Sequence, residues 1–143
     1  MVVSVDIGDS LDIHPKNKVE FAERLVLQAQ EKVYHKIVVS DGPLPLSYQI
    51  INNSIVIKFS STGKLKSKSN TILTGFEIAG IDNKYYSATA IIKNDELILS
   101  SQNVTKPIAA RYAWDNNPRC SLYNNEGLPV APFSTFSLKQ ILF

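Results

Sequence analysis

The sequence has very little sulfur and imidazole: one cysteine, Cys120, and two histidines, His14 and His35, in 143 residues. A single cysteine excludes an intrachain disulfide, so the redox compartment cannot be read from disulfide bridges. Three such residues spread over the chain also do not supply the clustered ligands of a structural zinc site. We therefore expect no metal ion and no cofactor.

Strong charge and long apolar runs are missing as well. The formal net charge is +2 and no long basic block is present, which argues against nucleic acid as a partner. No apolar stretch is long enough to span a bilayer, and the first residues lack the basic start and apolar core of a signal peptide. The apolar share of 44% and charged share of 20% are those of a folded globular protein without membrane contact.

The hydrophobic pattern changes period along the chain. Alternation over residues 2–7 predicts a short strand that ends at Gly8, and apolar residues three and four positions apart predict an amphipathic helix over residues 15–35. A cluster of Ser, Asp, Gly and Pro at residues 40–45 then ends regular structure. The opening of the chain is therefore predicted as strand, loop and helix.

After residue 45 the sequence favours β structure. Alternating runs predict strands at 55–59, 76–78, 86–92, 97–99 and 108–114. Asn and Asp pairs at 52–53, 82–83 and 94–95 separate several of these runs and tolerate left-handed backbone angles. Short strands with frequent turns predict a mainly β (α+β) chain whose larger part is an antiparallel sandwich or barrel.

The stretch GDSLDIHP, residues 8–15, permits two catalytic interpretations. Gly8 to Leu11 resemble the nucleophile block of a GDSL esterase with Ser10 as nucleophile, whereas the next four residues resemble the base block of the same superfamily. A serine esterase needs an imidazole within reach of the nucleophile. Because His14 is four residues from Ser10, and no histidine follows His35, the first interpretation lacks its partner and we disfavour Ser10.

The second interpretation makes His14 the base. It follows a predicted strand, at the edge where α/β sheets collect functional groups. Asp12 and Asp9 are close enough in sequence to orient one imidazole nitrogen and leave the other for a serine elsewhere. On local grounds alone, a surface histidine preceded by capping aspartates fits the same residues.

Longer strings carry a resemblance to a known family: VDIGDSLDIHPKNKVEFAERL at 5–25, LTGFEIAGIDNKYYSATAII at 73–92 and ARYAWDNNPRCSLYNNEGLPVAPF at 110–133. Together they resemble the C-terminal part of the sialate O-acetylesterase (9-O-acetylesterase) family of SGNH-type carbohydrate esterases, from residue 1 to about residue 136.

The resemblance implies that residues 1–36 are the terminal strand, base loop and helix of an SGNH α/β hydrolase domain, and that residues 41–143 are a β-sandwich domain. It places His14 on the catalytic histidine and Asp12, with Asp9 as second choice, in the preceding acidic cluster. It further implies an O-acetylated carbohydrate substrate, either sialic acid or plant polysaccharide, and a secreted or periplasmic location.

Two departures from the family pattern are present. The superfamily usually has an acid three residues before the histidine, where this chain has Leu11. Near the end, Ser134 and Phe136 stand where relatives tend to have Arg and Asp. The orienting aspartate therefore stays open between Asp12 and Asp9.

The family's nucleophile and oxyanion blocks have no counterpart in this sequence. The resemblance therefore implies a C-terminal portion of the enzyme, with the rest of the catalytic domain supplied by a preceding segment or a separate chain. Without a nucleophile and oxyanion donors, catalysis is essentially lost, so we predict that the isolated chain is inactive on acetyl esters. The apolar face of the predicted helix needs a partner, which is the sandwich, a second copy or that catalytic chain.

A rival interpretation makes the β region a non-catalytic carbohydrate-binding or structural module. Exposed aromatic residues with polar neighbours suit sugars, and Trp114 is a candidate contact, although a single Trp at a strand end is more often a core anchor. Arg111 and Glu126 are further candidates for substrate binding across an interdomain cleft. The alternative for both residues is a structural role in an ion pair at the surface or at the domain interface.

Overall fold

The computed structural model describes residues 1–14, 16–60, 64–68 and 72–141. The described residues form one α-helix and eleven strands, so the predicted mainly β (α+β) class is confirmed. The elements are α1 (Lys18–Lys32), β1 (Pro45–Ile51), β2 (Ser54–Phe59), β3 (Lys66–Ser67), β4 (Phe76–Gly80), β5 (Tyr85–Ser87), β6 (Thr89–Lys93), β7 (Glu96–Ser100), β8 (Pro107–Tyr112), β9 (Leu122–Tyr123), β10 (Phe133–Ser134) and β11 (Lys139–Gln140). A short 3-10 helix, Thr135–Ser137, lies between the last two strands.

The strands form two main sheets and one small one. The first sheet has the order β11-β1-β2-β7-β6, the second β10-β8-β4-β5, and β3 pairs with β9 alone. Neighbouring strands are antiparallel except β1 and β11, which run parallel. We call residues 45–140, which carry these strands, the β sandwich.

The core lies between the two main sheets. Ile55 and Leu99 face each other as register partners in the first sheet, and Ile78 pairs with Ala110 in the second. The Phe59 ring of the first sheet meets the Phe133 ring of the second edge-on, with centroids 5.9 Å apart. Burying each large apolar side chain contributes about 1.5–3 kcal/mol, so this interface stabilises the sandwich. The buried cluster comprises Ile55, Ile57, Leu65, Phe76, Ile78, Leu97, Leu99, Val104, Ala110, Tyr112, Ala113, Leu122, Val130 and Phe133.

The predicted turns are where the sequence places them. Asn52, Asn83, Asn94 and Asp95 all have positive φ angles, from 53° to 61°. Two successive left-handed residues are what a tight type I′ hairpin needs, and Asn94 and Asp95 form that turn between β6 and β7. The left-handed backbone of Asn94 and Asp95 therefore fixes this two-residue turn, and with it the register of β6 against β7.

One predicted strand is divided. The alternating run 86–92 is not continuous: β5 belongs to the second sheet and β6 to the first, and the chain changes sheet at Ala88. The Ala88 amide donates to the Phe76 carbonyl at 3.0 Å, which holds the corner against β4. Alternation persists through the corner, so the sequence pattern alone does not show it.

The strand predicted for residues 2–7 is not formed; that prediction was wrong. The segment bends at residues 4–7, where the Ile7 amide donates to the Ser4 carbonyl at 3.2 Å. A strand needs a neighbouring strand to pair with, and none of the described strands pairs with this segment.

The helix α1 is shorter than the predicted 15–35. It begins after Asn17, whose side-chain oxygen accepts from the Glu20 amide at 3.3 Å while its amide group donates to the Glu20 carboxylate at 2.9 Å. It ends before His35, whose φ of 52° is left-handed and closes the last turn. The predicted helix entrance at Pro15 lies outside the described residues, and no described helix is long and apolar enough to cross a membrane.

The residue that α1 buries is charged, whereas its hydrophobic pattern predicts a buried apolar face. Its single fully buried residue is Arg24. The apolar residues that define its predicted buried face are exposed, with Val19 at 72%, Val26 at 53% and Val33 at 65%. Of the three partners that the sequence leaves open for this face, the sandwich is therefore not the one that covers it.

Candidate active site

The loop that follows the N-terminal segment is shaped by its aspartates. We call residues 8–14 the base loop. The Asp9 carboxylate accepts from the Leu11 amide at 2.9 Å, and the Asp12 carboxylate accepts from the His14 amide at 2.8 Å. Each is a carboxylate bonded to the backbone two residues ahead, which holds a loop without a regular element.

His14 stands at the end of this loop with its side chain 83% exposed. Its Nδ1 lies 3.5 Å from Asp12 Oδ1, so Asp12 is the aspartate placed beside the imidazole. The Asp9 carboxylate contacts the Leu11 amide instead. An exposed imidazole with a carboxylate beside one nitrogen is an arrangement that general bases use.

A concave pocket of about 410 Å³ opens beside the imidazole. Its walls come from the N-terminal segment, the base loop and the first turns of α1: Ser4, Ile7, Gly8, Ile13, His14, Asn17, Lys18 and Phe21. Ser4 lines the same pocket and Ser10 is exposed on the loop, but neither hydroxyl bonds to His14 in the described part of the chain. The described residues thus place His14 and Asp12 side by side at this pocket, and no described serine hydroxyl is bonded to His14.

A buried ion pair fixes the segment that leads into the base loop. Arg24 of α1 binds Asp6 with two parallel hydrogen bonds of 2.7 and 2.8 Å, and the two side chains are 5% and 2% exposed. The same guanidinium donates to the Val3 carbonyl at 2.6 Å and to Glu20 at 2.5 Å. Bidentate geometry with further bonds is what makes a buried pair tolerable in a protein interior.

Tyr123 joins this pair to the sandwich. Its hydroxyl donates to the second Asp6 oxygen at 3.1 Å, across 117 residues of sequence. Burial alone would raise the pKa of Asp6, but the hydrogen bonds and the charge of Arg24 outweigh it and hold the pKa below the usual range. Burial and the neighbouring Asp6 charge raise the pKa of Tyr123, which keeps the hydroxyl protonated as a donor.

A second set of contacts docks the far end of the helix. The Gln28 amide donates to the Ser40 carbonyl at 2.8 Å and to Asp41 at 2.7 Å, and Ser40 also bonds to Glu31. Gly42 follows, and a Cβ built on it would lie 2.0 Å from the Pro129 carbonyl oxygen. Only glycine permits this approach of two backbones.

The remaining sequence candidates lie in the sandwich. Arg111 donates to Glu77 at 2.6 Å and lies 3.9 Å over the Tyr85 ring, so its partner is Glu77 and not Glu126. Glu126 is exposed and lines a cleft of about 350 Å³ against α1. Trp114 is 55% exposed, so it is not the core anchor that its strand-end position favours.

Sequence reasoning missed the residues that fix the base loop. No sequence pattern marks Asp6, Arg24 and Tyr123 as one cluster. The spacing of Glu20, Arg24 and Gln28, four residues apart, is the signal that was available, since it places three polar groups on one helical stripe.

Comparison with solved structures gives six matching chains. No family model matches the chain, and no curated protein matches it significantly. A crystal structure of a novel carbohydrate acetylesterase from Xanthomonas citri matches with a TM-score of 0.87 and 37% sequence identity over 91% of this chain. This chain spans only 31% of that protein. The helix and sandwich therefore share their fold with one part of a larger acetylesterase.

Proposed function

We propose that this chain supplies the catalytic histidine and the β sandwich of a serine carbohydrate O-acetylesterase. The observation that carries the proposal is the exposed imidazole of His14, paired with Asp12 at the mouth of a pocket. The match to a carbohydrate acetylesterase over 91% of the chain supports the same chemistry. The substrate class is an O-acetylated glycan outside the cell, such as acetylated sialic acid or plant polysaccharide.

In this mechanism a serine hydroxyl from another segment approaches the free imidazole nitrogen. His14 takes the hydroxyl proton as the serine oxygen attacks the acetyl carbonyl, and then returns it to the sugar oxygen as that oxygen leaves. Asp12 holds the other imidazole nitrogen and stabilises the imidazolium. A water molecule, deprotonated by the same imidazole, then attacks the acetyl-serine and releases acetate.

The outer side of α1 provides an apolar surface on which the serine-bearing segment can pack. Phe21 and Leu25 lie one turn apart on α1, 41% and 47% exposed, and Phe21 also lines the His14 pocket. Val19, Val26 and Val33 are exposed further round the helix. An apolar stripe beside a catalytic pocket favours a protein neighbour rather than water. We assign this stripe to the remainder of the catalytic domain, because the matched acetylesterase extends well beyond the part that this chain spans.

Complementation tests the assignment. The part of the Xanthomonas citri acetylesterase that this chain does not span is produced separately and mixed with the present chain, and acetate release from acetylated xylan and from O-acetylated sialosides is measured. We expect neither polypeptide to be active alone and the mixture to be active. His14→Asn should lower the rate by at least about 10⁴-fold, and Asp12→Asn by about 10²–10⁴-fold.

The controls use the second histidine, His35, and the disfavoured serine, Ser10. His35→Asn and Ser10→Ala should leave activity unchanged, because His35 only ends α1 and Ser10 has no base. Size-exclusion chromatography shows whether each variant still associates, and a covalent fusion of the two polypeptides removes any dependence on association. Equal rates for wild type and His14→Asn in the fusion would refute the assignment.

A further inference from the structure

The backbone turns over at the end of β8. Ala110 and Tyr112 point into the core, and regular alternation would send Trp114 to the same side. Ala113 instead has a φ of 54°, in the left-handed region, and Trp114 emerges with 55% of its surface exposed. A left-handed backbone costs an alanine about 1–2 kcal/mol. The fold therefore holds Ala113 in an unfavourable conformation, which turns the Trp114 side chain outward.

The loop that carries this tryptophan is fastened at both ends. At its start, the Ala113 amide donates to the Gly75 carbonyl at 2.8 Å. At its end, the buried Tyr112 hydroxyl accepts from the amides of Ser121 and Leu122 at 3.0 and 3.1 Å. We call residues 113–120 the Trp114 loop.

A third contact holds the loop from the side. The Ser121 hydroxyl accepts from the Thr74 amide at 2.8 Å and donates to the Thr74 carbonyl at 2.9 Å. Gly75 has a φ of 83°, and a Cβ there would lie 2.9 Å from the Arg119 carbonyl oxygen, so loop and support are in close contact. A loop fixed in this way loses little conformational entropy when it binds a ligand.

The tip of the loop offers a mixed surface. Trp114, Asp115, Asn116, Asn117 and Arg119 are all exposed. An indole face accepts the apolar side of a pyranose ring, whereas carboxylate, amide and guanidinium groups pair with its hydroxyls. Functional groups on a loop that a rigid scaffold positions are typical of a binding site.

We propose that the Trp114 loop binds the glycan chain of the substrate by stacking a sugar ring on Trp114. The ligand class, a polysaccharide or oligosaccharide, rests on the proposed function, whereas no residue of the Trp114 loop lines the His14 pocket. The loop therefore acts as a carbohydrate-binding surface on the sandwich. It retains the glycan chain while the acetyl groups of that chain are presented to the His14 pocket.

The chain itself provides the probe, because Trp114 is its only tryptophan. The chain is titrated with xylohexaose, acetylated xylan oligosaccharides and sialyllactose, and the tryptophan emission is followed. We expect a saturable change with at least one of these glycans. Isothermal calorimetry with that glycan should give an affinity about ten-fold or more lower for Trp114→Ala, and an intermediate value for Trp114→Phe.

Tyr34→Ala is the matched control, since Tyr34 is an exposed aromatic residue, 70% accessible, at the end of α1. Its substitution should leave glycan affinity unchanged. The proposal is overturned if no glycan changes the emission, or if Trp114→Ala binds as well as wild type. It is also overturned if the emission responds only to the separate part of the acetylesterase, because Trp114 is then a protein contact. None of these outcomes depends on His14, so they separate this site from the catalytic assignment.

Discussion

The β sandwich and α1 bury opposite kinds of side chain. The sandwich encloses aliphatic and aromatic residues such as Ile55, Leu99 and Tyr112, all at 0% exposure. The helix instead turns a polar stripe inward: Arg24 binds Asp6 of the N-terminal segment and Gln28 binds Ser40 and Asp41, while the valines stay exposed. The sandwich thus completes its own core, whereas the helix is held by polar contacts and leaves its apolar side exposed.

The largest effect follows from dividing the chain between the two regions. A polypeptide of residues 41–143 should fold on its own, because its buried cluster draws on residues of the sandwich alone. A peptide of residues 1–40 should be mostly unfolded, since a 15-residue helix is marginal in water and α1 buries only Arg24. Circular dichroism and dispersion of amide resonances measure both. If the 1–40 peptide is helical, or if the 41–143 polypeptide is unfolded, the two regions do not differ in their ability to fold alone.

An intermediate effect is expected at the contact between the regions. Arg24→Met leaves the buried Asp6 carboxylate without its cation and should cost about 3 kcal/mol of unfolding free energy. The loss should appear in the helical signal at 222 nm before the sandwich unfolds. Arg119→Met, which removes an exposed arginine, should change stability by less than about 0.5 kcal/mol.

The pH dependence of the same variant sharpens the test. The pKa of Asp6 lies below its ordinary value of 3.8 in the folded protein, because the bonds and charge of Arg24 outweigh its burial. A lowered pKa stabilises the fold above the ordinary value, and that stability is lost as the pH falls through the folded value. The difference between wild type and Arg24→Met should therefore be largest near neutral pH and shrink below pH 3.8. A difference that grows in acid would exclude the pair as its source.

The smallest effect compares two buried alanines near the end of β8. Ala110 is in extended backbone and Ala113 in left-handed backbone, where glycine is favoured. Ala110→Gly should cost about 1 kcal/mol, whereas Ala113→Gly should be neutral within about 0.5 kcal/mol. Urea denaturation of the two variants measures the difference. Equal losses would show that Ala113 is not strained.

Local patterns explain which parts of this fold the sequence predicts. The asparagine turns and the strand at 55–59 depend on short-range preferences, and they are found within a residue or two. The strand β1 was missed because Pro45 and the preceding break hide its start. The strand predicted at 2–7 failed because a strand also needs a neighbour, which no local pattern reports.

The candidate site divides in the same way. The sequence and the family resemblance together make His14 and Asp12 candidates, since the two residues lie two positions apart and carry a motif. The contact of Asp6 with Tyr123 spans 117 residues, and Arg24 looks like any other charged helix residue before folding. Long-range polar contacts depend on how two regions dock, so they become visible only in three dimensions.

The close approach at Gly42 sets a rule for engineering this protein. The Pro129 carbonyl occupies the volume in which any side chain at position 42 would begin. A combinatorial library that varies this position should recover glycine alone wherever selection requires the folded protein. Insertions and domain fusions should therefore be directed to the exposed residues 35–37. We expect added length there to leave the contact between Gly42 and Pro129 in place.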